Sequence, residues 1–135
     1  MMRILGVDVG RRRTGLALSD PLELTCSPLA VVEEREQEGL LLRIVQVMRE
    51  HDVGEIVVGL PRPLSGGTNR QVESVVAFVE SLAARVDKPV RTWDERFTSK
   101  LAERGRPSGL AHDSVAACYM LQSYLDSRAE AGGGT

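Results

Sequence analysis

With 135 residues the chain suits a single domain that can bury a substantial core. Its net charge of −2 excludes a global attraction to nucleic acid, so any such binding must use local basic patches. No apolar run reaches membrane-spanning length and the first residues enter a strand pattern directly, so the expectation is a cytoplasmic protein with no signal peptide and no membrane contact.

Residues 3–9 (RILGVDV) are β-branched and apolar and stop at Gly10, and residues 14–20 (TGLALSD) repeat that character after a short turn. The pair predicts an antiparallel hairpin. Residues 27–34 predict a third strand. From residue 36 to 51 the period changes: Leu41, Ile44, Val45 and Met48 mark the inward stripe of an amphipathic helix. Residues 55–61 (EIVVGLP) predict a buried strand, and 62–69 (RPLSGGTN) a loop. Val72, Val75, Val76, Val79, Leu82, Ala83 and Val86 predict a second helix, and residues 89–95 a fifth strand. A short helix follows from about 97 to 105, and a last one from near Asp113 to about Arg128. Residues 1–128 then form one domain and 129–135 a frayed tail. The order β-β-β-α-β-α-β-α-α predicts a mixed sheet with helices on its faces.

Asp8 is the first anomaly. Alternation places it with Ile4 and Gly6 on one face of an otherwise apolar strand. A carboxylate there either caps the following turn or meets a cation, donors or a metal. Asp94 and Glu95, at the end of the fifth strand, point to opposite faces, so one of them shares the face of Asp8; a surface pair with Arg96 is the alternative. Asp113 opens the apolar stripe Ala117, Met120, Leu121 and Tyr124 of the last helix; it serves as a helix cap or starts a site. Together, Asp8, Glu95 and Asp113 each sit at an element end that can reach one spot. Clustered carboxylates need a cation, and hard oxygen donors suit Mg2+ or Mn2+. Two such ions about 4 Å apart activate water and stabilise a leaving oxygen in phosphodiester cleavage.

Arg11, Arg12 and Arg13 follow Asp8 directly, where a nucleic-acid backbone would meet guanidinium forks; a solvated turn is the alternative. Arg62 and Arg70 flank the glycine-rich loop and can line a second part of such a groove, unless the loop is a plain connector. His51 and His112 have no partner pattern, Ser19 and Ser65 no nucleophile motif, and Trp93 suits the core. Cys26 and Cys118 lie in no metal-ligand spacing and are expected as reduced thiols. The VDVG…TG turn also resembles the phosphate turn of actin-like ATPases, but the chain is too short for their two-lobed cleft.

The segments GVDVGRRRTGLALSDPL, IVVGLP, DERFTS and HDSVAACYMLQSYLD, in that order, resemble the YqgF/RuvX family of Holliday-junction-resolvase-like pre-16S rRNA nucleases. The resemblance implies an RNase H-like α/β fold, a five-stranded mixed sheet flanked by helices. It implies a metal-dependent nuclease of RNA or branched DNA, in bacteria associated with maturing the 5′ end of 16S rRNA. The family's acidic positions fall on Asp8, Glu95 and Asp113, its basic positions on Arg12 and Arg13, and the arginine after the glycine-rich loop on Arg70. The usual Lys-Arg pair is Arg12-Arg13 here, and the stretch SKLAERGRPSGLA is short and poor in lysine, with Arg104 and Arg106 as partial substitutes. Resolution of four-way DNA junctions, which needs a homodimer rather than a monomer, and a non-catalytic nucleic-acid-binding module are the rival expectations.

Overall fold

The computed structural model describes residues 2–63, 67–95 and 110–133. Five strands form one sheet: β1 (Arg3–Asp8), β2 (Arg13–Ser19), β3 (Cys26–Glu33), β4 (Val53–Leu60) and β5 (Val90–Asp94). Their spatial order is β3-β2-β1-β4-β5. β1 runs antiparallel to β2, and β2 to β3, whereas β1–β4 and β4–β5 are parallel. The expected hairpin and mixed sheet are therefore present. The short helix expected near 97–105, together with Ser65, Arg96, Arg104 and Arg106, lies outside the described residues.

The helices divide between the two faces. Leu5, Val7, Leu16, Leu18, Ile56 and Val58 point to a core closed by α1 (Gln37–Glu50) and α2 (Arg70–Ala83). Ile4, Ala17 and Val57 point the other way, onto α3 (Leu110–Gly133). Side chains alternate across each strand, so one stretch serves both cores. Fully burying each large aliphatic contributes about 1.5–3 kcal/mol, which makes both cores substantial.

Two stripes are rotated from their expected positions. α1 buries Val47 beside Leu41, Ile44 and Met48, and Val45 is only half-buried. α2 buries Val72, Val75, Phe78 and Leu82, leaving Val76 exposed. The aromatic ring at Phe78 buries more area than a valine, so it sets the centre of the stripe. Asn69 caps α2, its side chain accepting the Val72 N–H at 2.9 Å. α3 runs past the expected end near Arg128 to Gly133, through the strong helix formers Ala129, Glu130 and Ala131.

Candidate active site

The face of the sheet that carries α3 is unusually small-chained. Gly6 faces Leu121, and a Cβ on Gly6 would lie 2.9 Å from the Leu121 Cβ. α3 can therefore lie close to the strands, and its inward residues Ala117, Met120 and Leu121 are almost wholly enclosed. Asp8 is the next residue on this face, two beyond Gly6 at the end of β1.

Asp8 is flanked by glycine on both sides. Gly15 lies directly across from it in β2. A Cβ on Gly15 would fall 1.9 Å from the Asp113 carbonyl oxygen, so the first turn of α3 occupies the place of a side chain there. In β4, Gly59 follows Val58, the partner of Val7, just as Asp8 follows Val7. A Cβ on Gly59 would lie 2.9 Å from Glu95 Oε1, so the Glu95 carboxyl folds over that glycine. Gly59 is in register with Trp93, which packs on the α3 side, and Glu95 is two residues beyond it. Asp94 goes to Arg62 instead, its carboxylate 3.9 Å from the guanidinium Nε. Of the two acids at the end of β5, Glu95 is thus the one that turns onto the flank of Asp8.

The Asp113 carboxylate is paired with Arg13, Oδ2 to Nε 3.6 Å. Among the described residues, no group of three or more His, Cys, Asp or Glu side chains stands ready to hold a metal ion. Asp8, the Glu95 carboxyl and the Asp113 main chain border one strand end, but the three carboxylates do not gather there into such a group. Their donor chemistry, carboxylate oxygen throughout, is that of a hard divalent cation.

The arginines do not form one patch. Arg11 shares a cleft of about 280 Å³ with Arg70, Gln71 and Ser74. Arg12 and Arg13 line a separate groove of about 610 Å³ with Glu33, Glu34, Arg35 and Glu36. The Arg12 carbonyl accepts the Glu34 N–H at 2.9 Å, which ties the hairpin turn to the segment leaving β3. Arg62 is engaged by the chain itself: besides Asp94, it donates to the Gly67 carbonyl at 3.1 Å.

The remaining candidates have structural roles. Ser19 Oγ accepts the Ile4 N–H at 2.8 Å, and His51 ends α1. Trp93 packs edge-on against Tyr124, with centroids 5.6 Å apart, and donates to Ser123 Oγ. Two features escaped the sequence reading. Gly59 is one: a glycine in a buried strand marks close approach, here of the Glu95 carboxyl. Glu55, an acid inside β4, anchors Tyr124, Arg91 and Arg128 at the other end of that strand.

The family model for RuvX, described as Holliday junction resolvase, matches residues 2–127. The chain belongs to the RuvX family. Among the relatives of this RuvX-family chain, a protein of Desulforamulus reducens named "Putative pre-16S rRNA nuclease" is 39% identical, covering 96% of this chain and 100% of its own length. One of the same name from Moorella thermoacetica is 41% identical, covering 93% of this chain and 95% of its own length. Solved structures place the fold. The chain of Thermus thermophilus RuvC in complex with a Holliday junction substrate superposes with a TM-score of 0.62 at 19% identity, covering 95% of this chain and 96% of that one. Fowlpox virus resolvase with Holliday junction DNA gives 0.59 at 12% identity, covering 94% and 99%. The RNase H-like fold expected from the motifs is the fold observed. A Thermus thermophilus ROK hexokinase superposes with a TM-score of 0.51 at 24% identity, covering 76% of this chain and 37% of that one.

Proposed function

We propose that this RuvX-family protein is a divalent-metal-dependent endonuclease of the cytoplasm whose substrate is the 5′ end of precursor 16S rRNA. The observation that carries the reading is the strand end itself: Asp8, with the Glu95 carboxyl over one flanking glycine and the Asp113 main-chain carbonyl against the other. These three acids would hold Mg2+ or Mn2+. Such an ion supplies an activated attacking water and charge for the leaving oxygen. Arg13, beside Asp113, meets the scissile-strand phosphates from the solvent side, and Arg12 extends that contact along the hairpin turn. Arg11 and Arg70 grip the backbone further along, in their own cleft. Such contacts favour the shape of the substrate over its sequence. The RNA assignment rests on the names of relatives about 40% identical over nearly their full length.

The test is cleavage of precursor rRNA by the purified protein and its Asp8→Asn form, with and without Mn2+. The expected result is metal-dependent cutting by the native protein and none by the variant, with both melting alike. Full activity in the variant, or cutting indifferent to chelation, would sink the reading. A second reading, resolution of four-way DNA junctions by a homodimer, is favoured by the likeness to RuvC bound to a junction. Light scattering, with cleavage of a four-way junction beside precursor rRNA, separates the two. A non-catalytic module would show no cutting and no thermal shift with millimolar Mn2+.

A further inference from the structure

Cys26, the first residue of β3, and Cys118, on the sheet side of α3, are 92 positions apart in sequence, yet their sulfurs lie 3.2 Å from each other. Both are free thiols and both are half-buried. The surroundings hold them there. Cys26 Sγ also lies 3.1 Å from the Cys118 carbonyl. One turn further along α3, Gln122 donates to the Leu24 carbonyl at 2.9 Å, and Arg128 reaches Glu23 at 3.2 Å. Three successive turns of α3 are thus fastened to the β2–β3 connection, with the thiol pair as the first fastening.

We propose that Cys26 and Cys118 form a reversible intramolecular disulfide when the protein meets a hydroperoxide, stapling α3 to β3. The sulfurs have only to close from 3.2 Å to roughly 2.05 Å. Cys118 is the attacking group: the Cys26 thiol has the Cys118 carbonyl at 3.1 Å and Gln122 Oε1 at 3.7 Å to hold its proton, and contact with Cys26 draws the Cys118 pKa below the usual cysteine value, while that same contact, burial and the nearby Asp126 charge push Cys26 up. The Cys118 thiolate attacks the peroxide. An S–O bond forms, the O–O bond breaks, and the departing alkoxide takes a proton to leave as alcohol, or as water from hydrogen peroxide. Cys26 sulfur then attacks the Cys118 sulfenic acid; the S–S bond forms, the thiol proton joins the departing hydroxyl, and water leaves. One peroxide is reduced for each pair of thiols oxidised, and a dithiol reductant reverses the result.

The experiment exposes the reduced, full-length protein to hydrogen peroxide at several protein concentrations, then alkylates it and measures intact mass. The expected product is a monomer two hydrogens lighter that takes up no alkylating agent, recovers both sites with dithiothreitol, and melts on the order of 10 °C higher. Cys26→Ser should stop at a sulfenic acid on Cys118 that dimedone captures, whereas Cys118→Ser should resist oxidation at the same dose. Two thiols that stay alkylatable, oxidation running through to sulfinic acid in the native protein, cross-links only between chains, or dimedone capture at Cys26 would each overturn the proposal.

Discussion

Asp8 and Gly15 stand opposite each other across the antiparallel β1–β2 pair, and the space a side chain on Gly15 would fill is taken by the Asp113 carbonyl. The pairing links the two acids through backbone alone. It sets where α3 begins relative to the end of β1, whatever the carboxylates themselves are doing.

Replacing Gly15 by alanine should therefore damage the fold. The new Cβ would lie 1.9 Å from a main-chain oxygen, which cannot rotate away, so α3 must back off from β2. Overpacking of this kind costs about 1–3 kcal/mol. Urea unfolding should show a lower midpoint, equivalent to that loss of unfolding free energy. An unchanged midpoint would mean that α3 does not rest on this glycine.

Gly59→Ala should do the opposite. Here the atom in the way is the end of the flexible Glu95 side chain, 2.9 Å from the new methyl, and it can turn aside cheaply. The unfolding free energy should stay within about 0.5 kcal/mol of that of the native protein, since alanine in a strand is no worse than glycine. Cleavage should nevertheless fall on the order of 100-fold, because the carboxyl loses its place beside Asp8. Loss of stability together with activity would show that Glu95 is packed rather than poised.

The contrast marks what the sequence could and could not convey. Strand alternation was enough to place Asp8 on a definite face, and helical periodicity put Asp113 at the head of the stripe that packs on it. Periodicity could not choose between Asp94 and Glu95, because that choice depends on which face of β5 meets Arg62 and which meets Gly59. Nor could it reveal that the run of three arginines splits between two clefts, since the direction of each guanidinium is decided by partners distant in sequence. The shifts from Val45 to Val47 and from Val76 to Phe78 have a common cause. A run of valines satisfies several stripes equally, and only the shape of the opposing core selects one.

Tyr124 gives a pH signature at the other end of β4. Burial, and then its hydrogen bond to the Glu55 carboxylate, push its pKa up to about 12. The unfolded phenol titrates near 10. A raised folded value means that this stabilisation is complete below about pH 10 and is lost as pH climbs through 12. Tyr124→Phe should therefore cost about 1 kcal/mol at neutral pH and flatten the fall in melting temperature between pH 10 and 12. Equal alkaline slopes in the two proteins would refute the Glu55 link.

Arg13 offers the sharpest separation of binding from folding. Its side chain is 49% exposed and that of Asp113 30%, so their 3.6 Å pair contributes little to stability. Arg13→Ala should leave the melting temperature nearly unchanged. If Arg13 instead serves a phosphate, the variant should bind RNA more weakly whatever the sequence, and the slope of log affinity against log salt should become shallower by about 1. The Arg62→Ala variant is the internal comparison: Arg62 is held by Asp94 and the Gly67 carbonyl, so its loss should loosen the segment leading into α2 and leave the salt slope as it was. A reversed outcome, with the slope moving in Arg62→Ala and not in Arg13→Ala, would shift the nucleic-acid path from the β1–β2 turn to the end of β4.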